Sequence, residues 1–521
     1  MGSNYKKAKE DWVSDLTGST VLHVNLISLV ALSSITLYSA LKSRMPPSWT
    51  IQFPTAWIIL VLPLLLSMTL FANSPGFLSL LLLIPTGILL FIPRQSLGTP
   101  LPQPGPMSPT TRQSNNRSTP TSQIQPLPSV TVYRAHMLLM TILAILAVDF
   151  PVFPRSLAKC ESFGVSLMDL GVGSFVFSQG LVSAIPLLKD PEYLSAPAVP
   201  KILSTTRKTL PIILIGLVRV LLVKGTEYPE HESEYGTHWN FFITLALLPI
   251  LQVILHPVII RIPLALLGVL VALAQQLTLS ALGMQDFVLK APRAGLISAN
   301  KEGIISLSGY LAVHLLGLSI GTIILPPSPK YFRRSLKIQG RQRRNSNASD
   351  KRITLAEPRE NDRTAIELCS YTAVWWTLLG LLTFFGIGGD GVSRRMVNAP
   401  YIFWVAAFNT SFILGYLLVD MCFFPSRSVY SQKSKLKVPV DIAIDHPSRQ
   451  QQMQSPPPLL EALNKNSLVL FLVANVATGL INLTIPTMYT SDFWAMLILS
   501  AYAFGVCGVA WTVRGRRVIR L

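Results

Sequence analysis

Thirteen apolar runs, most of them close to the length that crosses a bilayer, recur along the 521-residue chain. Half of the residues are hydrophobic and only 13% are charged, about half the charged share of a soluble domain. Backbone groups in lipid must be satisfied within their own segment, so such runs fold as helices. The sequence therefore predicts an all-α, polytopic membrane protein with about 13 transmembrane helices. The predicted spans are 21–41, 53–72, 77–93, 135–148, 164–188, 209–223, 240–260, 262–283, 303–325, 365–387, 400–424, 467–487 and 493–513.

Basic residues are unevenly distributed among the segments that join these runs. Most of the 44 Lys and Arg residues follow odd-numbered runs, with the largest group between the ninth and tenth. Cytosolic loops of membrane proteins carry such an excess of Lys and Arg. We therefore expect a cytosolic C-terminus and a lumenal N-terminus. This sidedness also explains the net charge of +19 without a nucleic-acid partner.

The chain is predicted to form one membrane domain over residues 1–521. Three segments, at about 94–130, 326–364 and 425–466, are rich in Pro, Ser, Thr, Gln, Asn or basic residues. Segments of this composition bury too little apolar surface to order themselves. We expect them to be flexible cytosolic loops that are dispensable for chemistry.

The stretch between the fourth and fifth runs carries the strongest functional signal. It reads DFPVFPRSLAKCESFGVSLMDLGVGSFVF and places Asp149, Arg155, Lys159, Glu161 and Asp169 within 21 positions. Charges so close to hydrocarbon are costly and usually face a cavity or a partner. Two prolines between Asp149 and Lys159 prevent a continuous helix and leave irregular backbone at the membrane edge. An acid and a base in this setting suggest chemistry on a lipid.

Several familiar catalytic patterns are absent from the sequence. No histidine has an aspartate five positions later, and neither a GxSxG elbow nor a Walker loop is present. The four cysteines show no CxxC spacing, so neither a disulfide framework nor a metal site is predicted.

Four blocks of the sequence resemble the GPI-anchor inositol acyltransferases, the phosphatidylinositol-glycan class W family whose fungal members act in GPI-anchored wall-protein transport. These blocks are DFPVFPRSLAKCESFGVSLMDLGVGSFVFS at 149–178, EYGTHWNFF at 234–242, SANKEGIISLSGYLAVHLLG at 298–317 and RRMVNAPYIFWVAAFNTSFIL at 394–414. The resemblance implies an enzyme of the endoplasmic reticulum membrane with many spans and a lumenal reaction. Such an enzyme transfers a fatty acyl group, usually palmitoyl, from acyl-CoA to the inositol 2-hydroxyl of glucosaminyl-phosphatidylinositol.

An inositol hydroxyl is a weak nucleophile, so its attack on a thioester needs a general base. We assign this role to Asp149, with Lys159 as its electrostatic partner, as the thioester oxyanion donor or as a ligand of the lipid phosphate. Glu234, His238 and Glu302 remain alternatives for the proton acceptor. A covalent route through Cys160 is a further alternative.

The remaining site residues follow from their places beside these blocks. We expect the lipid acceptor to contact Arg155, Ser166, Asp169, Glu234, His238, Asn300, Lys301, Asn398 and Trp404. The phosphates of acyl-CoA, a co-substrate rather than a bound cofactor, are expected to contact Arg134, Arg207, Lys208 and Arg219.

Two other functions are compatible with the same spans. A lipid or solute transporter explains polar residues within spans, although it predicts inverted repeats that this chain lacks. A noncatalytic membrane scaffold leaves Asp149 and Lys159 without a purpose. Acyl-chain preference, the docking site of CoA and the oligomeric state are left open by the sequence.

Overall fold

A computed structural model describes residues 12, 14, 16–46, 50–93, 124, 127–225, 234–344, 359–424 and 455–519. These residues form a bundle of α-helices, and within them the extended structure is limited to isolated bridges from Gly18 and Ser19 to Val165. The first half of the bundle contains α1 (Val21–Lys42), α2 (Phe53–Leu60), α3 (Leu62–Ser67), α4 (Pro75–Leu90), α5 (Pro128–Ala147), α6 (Leu167–Val182), α7 (Ala184–Lys189), α8 (Ala198–Gly225), α9 (Phe241–Ile254) and α10 (His256–Ile259). The second half contains α11 (Leu264–Ala281), α12 (Met284–Lys290), α13 (Leu296–Ala299), α14 (Lys301–Ile324), α15 (Tyr331–Arg344), α16 (Asn361–Phe384), α17 (Ala399–Phe423), α18 (Pro458–Lys465), α19 (Ser467–Thr484) and α20 (Asp492–Thr512).

Every one of the thirteen predicted runs overlaps a helix of the bundle. Among the described residues, nine helical segments are long and apolar enough to cross a membrane. Three further apolar segments, Phe53–Ser67, Pro75–Leu90 and Phe241–Ile254, are shorter, and α8 covers the remaining run. The all-helical membrane class is confirmed, whereas the count of 13 spans and the orientation of the termini stay predictions.

Local sequence sets where several of these helices begin. The side chains of Thr20, Ser166, Asn240 and Asn398 each accept a hydrogen bond from a backbone N–H in the first turn of the helix that follows. Such caps satisfy backbone donors that have no partner within the helix. The caps on α6, α9 and α17 all lie at the same end of the bundle, so they anchor the loops at that end.

The centre of the bundle is α14, which packs most extensively against α6. Gly180 of α6 faces the carbonyl of His314, and Gly317 of α14 faces the carbonyl of Phe177, so closely that a β-carbon at either glycine would overlap the oxygen. Small residues allow this close approach of two membrane helices. Gly173 of α6 allows a similar approach to α17, since a β-carbon there would overlap Val405.

Two of the three segments expected to be flexible loops contain helices. The amphipathic helix α15 lies within 326–364, and α18 lies within 425–466. Their apolar residues, including Phe332, Leu459 and Leu463, are buried against the bundle, which explains why these parts are ordered. Residues 94–123, 125–126, 345–358 and 425–454 of the expected loops lie outside the described residues.

Several connecting segments meet at one end of the bundle, which we call the Asp149 end. The segment 148–166 is joined to the segment 385–398 by a bond from the Gly164 N–H to the Val392 carbonyl at 2.8 Å. The segment 234–240 is joined to α13 and α14 by backbone bonds from Thr237 to Ala299 and from Gly303 to Tyr235, both at 3.0 Å. These contacts gather the charged residues of distant loops around the same end.

Candidate active site

Asp149 lies directly after the last turn of α5, where the chain leaves the bundle. The residue is 8% exposed. The side-chain amide of Asn482, at the end of α19, donates to its Oδ2 at 2.8 Å. Thr487 in turn donates to the Asn482 side-chain oxygen at 3.1 Å, which fixes the direction of the amide. The structure thus holds Asp149 between two helix ends with a neutral hydrogen-bond donor.

Arg155 folds back towards the end of α5 from a single 3-10 turn. Its Nη2 donates to the carbonyls of Val148 and Phe153 at 2.7 and 3.1 Å. The guanidinium also lies 4.8 Å from the ring of Trp12. Burial lowers the pKa of Arg155 to about 10, while the charge of Asp149 acts in the opposite direction. Arg155 therefore places a cation within electrostatic range of Asp149.

Lys159 contacts Glu234 rather than Asp149. Its ammonium donates to both carboxylate oxygens of Glu234, at 2.7 and 2.9 Å. Burial raises the pKa of Glu234, but Lys159 and Arg394 outweigh this effect and lower it to about 2. The expected contact with Asp149 is absent because the segment between Asp149 and Lys159 directs the lysine towards the loop before α9. The side chain of Lys159 remains 35% exposed.

A buried ion pair lies beneath Lys159. The Nε of Arg394 is 2.6 Å from Oδ1 of Asp169, and the two side chains are 3% and 1% exposed. The Ser166 hydroxyl and the Cys160 N–H donate to the other oxygen of Asp169 at 2.7 and 2.9 Å. Burial alone would lower the pKa of Arg394, but Asp169 and Glu234 raise it well above its usual value. The pair thus holds the backbone directly beside Lys159.

This arrangement bears on the roles expected for Ser166, Asp169 and Cys160. Both oxygens of Asp169 already have protein partners, and Ser166 is one of them. A direct contact with the lipid acceptor stays a prediction for both residues. Burial and the charge of Asp169 raise the pKa of the Cys160 thiol, which disfavours the thiolate that a covalent route needs.

A second charged cluster is built around Glu302 at the start of α14. Its fully buried carboxylate accepts from Arg293 at 2.7 Å and from Arg395 at 2.9 Å. The neighbouring Lys301 is 3% exposed and donates to the carbonyl of Ala291. Asn300 accepts from the backbone N–H of His238 at 2.8 Å, so it joins the loop before α9 to this cluster. His238 itself is exposed.

Asn398 and Trp404 are buried within the bundle. Asn398 accepts from the backbone N–H groups of Ser393 and Tyr401 and donates to the carbonyl of Gly391 at 2.7 Å. It therefore caps α17 and shapes the segment before it. Trp404 is fully buried, with its ring edge-on to Tyr401 at 6.1 Å. Their proposed contacts with a lipid stay predictions.

The four residues expected to bind CoA phosphates do not lie together. Arg134 lies in α5 near the opposite end of the bundle, where its Nε donates to the Ser178 hydroxyl at 3.2 Å. Arg207 and Lys208 are exposed on the first half of α8. Arg219 lies 11 positions beyond Lys208, about 17 Å along the helix. Its charge acts on Glu234, so Arg219 belongs to the Asp149 end rather than to a shared site with Arg207.

Sequence reasoning missed several residues that organise this end. Arg394, Arg395 and Asn482 were not predicted as site residues. The Tyr401 hydroxyl donates to the Asp169 carbonyl at 2.8 Å, which joins α17 to α6. The pair of arginines immediately before a long apolar run was an available signal, because charges there are costly unless paired. Within the described residues, no group of three or more His, Cys, Asp or Glu side chains is arranged to hold a metal ion.

The model of the GWT1 family matches residues 5–513, nearly the whole chain. The chain belongs to the GWT1 family. The match includes all four sequence blocks and every segment that meets at the Asp149 end.

Curated relatives are similar over their full length. A "GPI-anchored wall transfer protein 1" from Gibberella zeae is 38% identical, over 98% of this chain and 97% of its own. The protein of the same name from Cryptococcus neoformans var. grubii is 35% identical over 99% of both chains. That from Candida albicans is 33% identical over 98% of this chain and 97% of its own.

Proposed function

We propose that this chain is an acyl-CoA-dependent acyltransferase of the endoplasmic reticulum membrane. It places a palmitoyl chain on the inositol 2-hydroxyl of glucosaminyl-phosphatidylinositol during GPI-anchor biosynthesis. Membership of the GWT1 family and the name of the relatives, "GPI-anchored wall transfer protein 1", support a role in the GPI pathway. The charged residues at one end of a membrane bundle support chemistry on a lipid headgroup.

The observation that carries this proposal is the kind of hydrogen-bond donor that each candidate carboxylate accepts from. Glu234 is bound through both oxygens by Lys159, and Glu302 is bound through both oxygens by Arg293. A carboxylate held in this way is a poor proton acceptor, because the cation favours its ionised form. The Asp149 carboxylate accepts a hydrogen bond from the neutral amide of Asn482, and the Arg155 cation lies within electrostatic range of it. We therefore assign the general base to Asp149.

The proposed reaction is a single direct transfer. Asp149 accepts the proton of the inositol 2-hydroxyl while the hydroxyl oxygen attacks the thioester carbonyl carbon. A carbon–oxygen bond forms, the carbon–sulfur bond breaks, and coenzyme A leaves as a thiolate that takes up the released proton. A positioned general base contributes about 10²–10⁴-fold to such a step.

Lys159 supplies positive charge for the oxygen that becomes negative in the transition state. Glu234 and the backbone bond from Cys160 to Asp169 fix the position of the lysine from two sides. An ammonium that is held in place before the reaction stabilises developing charge without reorganisation. Arg155, next to Asp149, is the proposed ligand of the lipid phosphate, which lies on the inositol carbon adjacent to the reacting hydroxyl.

The acyl donor is proposed to enter from the opposite side of the membrane. On the predicted orientation, Arg134, Arg207 and Lys208 lie towards the cytosol, where acyl-CoA is found. They are proposed to hold the phosphates of CoA while its acyl chain extends through the bundle. Arg219 is left out of this group, because its charge acts on Glu234 at the Asp149 end.

The test is transfer of labelled palmitate from palmitoyl-CoA to a glucosaminyl-phosphatidylinositol analogue by the purified protein in detergent. An ester on the inositol 2-hydroxyl, identified by mass spectrometry, is the expected product. A folded protein that produces no ester, beside an active preparation of a curated relative, would contradict the proposal. Movement of the lipid analogue across vesicles without ester formation would favour the transporter.

A further inference from the structure

The helix α15 has two chemically distinct faces. Tyr331 and Phe332 are 6% and 5% exposed, and Leu336 packs against the hydrophobic core. The basic residues Lys330, Arg333, Arg334 and Lys337 are all exposed. At 3.6 residues per turn, these four positions fall within an arc of about 100° on the side opposite the buried residues. We call this arc the α15 basic face.

The position of α15 places this face beside lipid. The helix packs against the end of α14 that is remote from Asp149. The Nη2 of Arg333 donates to the hydroxyl of Tyr371 in the third turn of α16 at 3.1 Å. Only 28% of the α16 span is buried inside the protein, so most of its surface is available to acyl chains. Tyrosine and arginine on the flank of such a helix are typical of the headgroup region.

Nothing in the sequence of α15 balances the charge of its basic face. The helix reads YFRRSLKIQGRQRR and contains no acidic residue. The neighbouring carboxylate of Glu360 accepts from Ser328 and Arg363, at 2.8 and 2.7 Å, and of the four residues of the face it interacts electrostatically with Arg334. On the predicted orientation this end of the bundle is cytosolic, and the cytosolic leaflet carries anionic lipids.

We infer that the α15 basic face binds anionic phospholipid headgroups of the cytosolic leaflet. The buried residues of α15 attach the helix to the bundle, so its cations are presented at a fixed height. Four basic residues at the end of a span match the density at which clusters of Lys and Arg recruit acidic lipids. This site is separate from the residues at the Asp149 end and does not depend on the proposed reaction.

The test is native mass spectrometry of the full-length protein released from micelles with equal amounts of phosphatidylserine and phosphatidylcholine. The variant K330Q/R334Q/K337Q removes three charges and leaves the bond from Arg333 to Tyr371 intact. The matched variant K330R/R334K/K337R keeps all three charges. Each basic residue near a headgroup raises the affinity for an anionic lipid about five-fold. The neutral variant is therefore expected to bind phosphatidylserine up to about 100-fold more weakly.

The inference is supported if the wild type and the charge-keeping variant retain phosphatidylserine in preference to phosphatidylcholine and the neutral variant does not. The retention should also weaken as salt is raised from about 0.01 to 0.1 M, since the screening length falls from about 30 to about 10 Å. Equal retention of both lipids by the wild type, or unchanged retention by the neutral variant, would overturn it. Displacement of the bound lipid by free coenzyme A would reassign the face to a soluble phosphate ligand.

Discussion

Replacing Arg394 by Gln should destabilise the protein more than the loss of any exposed ion pair. Asp169 is 1% exposed and would lose its partner at 2.6 Å while keeping its bonds from Ser166 and Cys160. Removing one member of a buried pair costs about 3–5 kcal/mol, because the remaining charge is left without compensation. The two bonds that remain place R394Q towards the lower end of this range.

The expected shift in melting temperature follows from the size of the chain. An unfolding entropy of about 2.1 cal/mol/K per residue gives about 1.1 kcal/mol/K for a chain of this length. A loss of 3–5 kcal/mol therefore lowers the apparent melting temperature by about 3–5 °C. The measurement is a thermal scan of the purified protein in detergent at constant scan rate.

Two further variants give this prediction its controls. K290Q breaks the pair between Lys290 and Asp286, whose side chains are 76% and 71% exposed. Solvent screens such an exposed pair, so the shift should stay below about 1 °C. The double variant D169N/R394Q removes both buried charges and should be less destabilised than R394Q. An R394Q protein that melts within about 1 °C of the wild type would refute the reasoning.

Three other changes test separate parts of the structure. E234Q should lower the melting temperature by a constant amount above pH 4.5, and the difference should vanish as the pH falls towards 2, because the folded pKa of Glu234 is about 2. Thermal scans from pH 2 to 7 measure this, and a difference that grows with acidity would contradict it. G180A should reduce the folded yield, because a β-carbon at this position would overlap the His314 carbonyl. The control G505A should keep the wild-type yield, because a β-carbon there meets no other atom. Size-exclusion profiles of the two purified variants measure the folded yield. K159Q breaks the same ion pair as E234Q and should also lower the melting temperature. The folded K159Q protein should transfer palmitate about 10²-fold more slowly, and an unchanged rate would remove Lys159 from the mechanism.

The helical membrane class was predictable because it depends on the length and composition of short segments. Each apolar run was sufficient by itself to predict a helix, and all thirteen runs overlap helices. Helix α15 was not predicted because the segment was judged by its basic and polar composition alone. The helical spacing of its few apolar residues was not taken into account.

The partners of the charged residues were not predictable from one sequence. Lys159 binds Glu234, which is 75 positions away, and Arg394 binds Asp169, which is 225 positions away. These pairings depend on which helices are neighbours in the bundle and on the conformation of each loop. A hydropathy pattern gives no information on either. The same limit explains why Arg219 was grouped with Arg207, although the two lie on different parts of α8.

The rate of palmitate transfer by an Asp149→Asn variant tests the central claim most directly. The matched control is Asp286→Asn, which neutralises an exposed carboxylate on α12 near the same end of the bundle. Both variants are compared with the wild type at saturating palmitoyl-CoA, after thermal scans show that each is folded. We predict a loss of about 10²–10⁴-fold for Asp149→Asn and an unchanged rate for Asp286→Asn. A folded Asp149→Asn protein that transfers palmitate at the wild-type rate would contradict the assignment of the base.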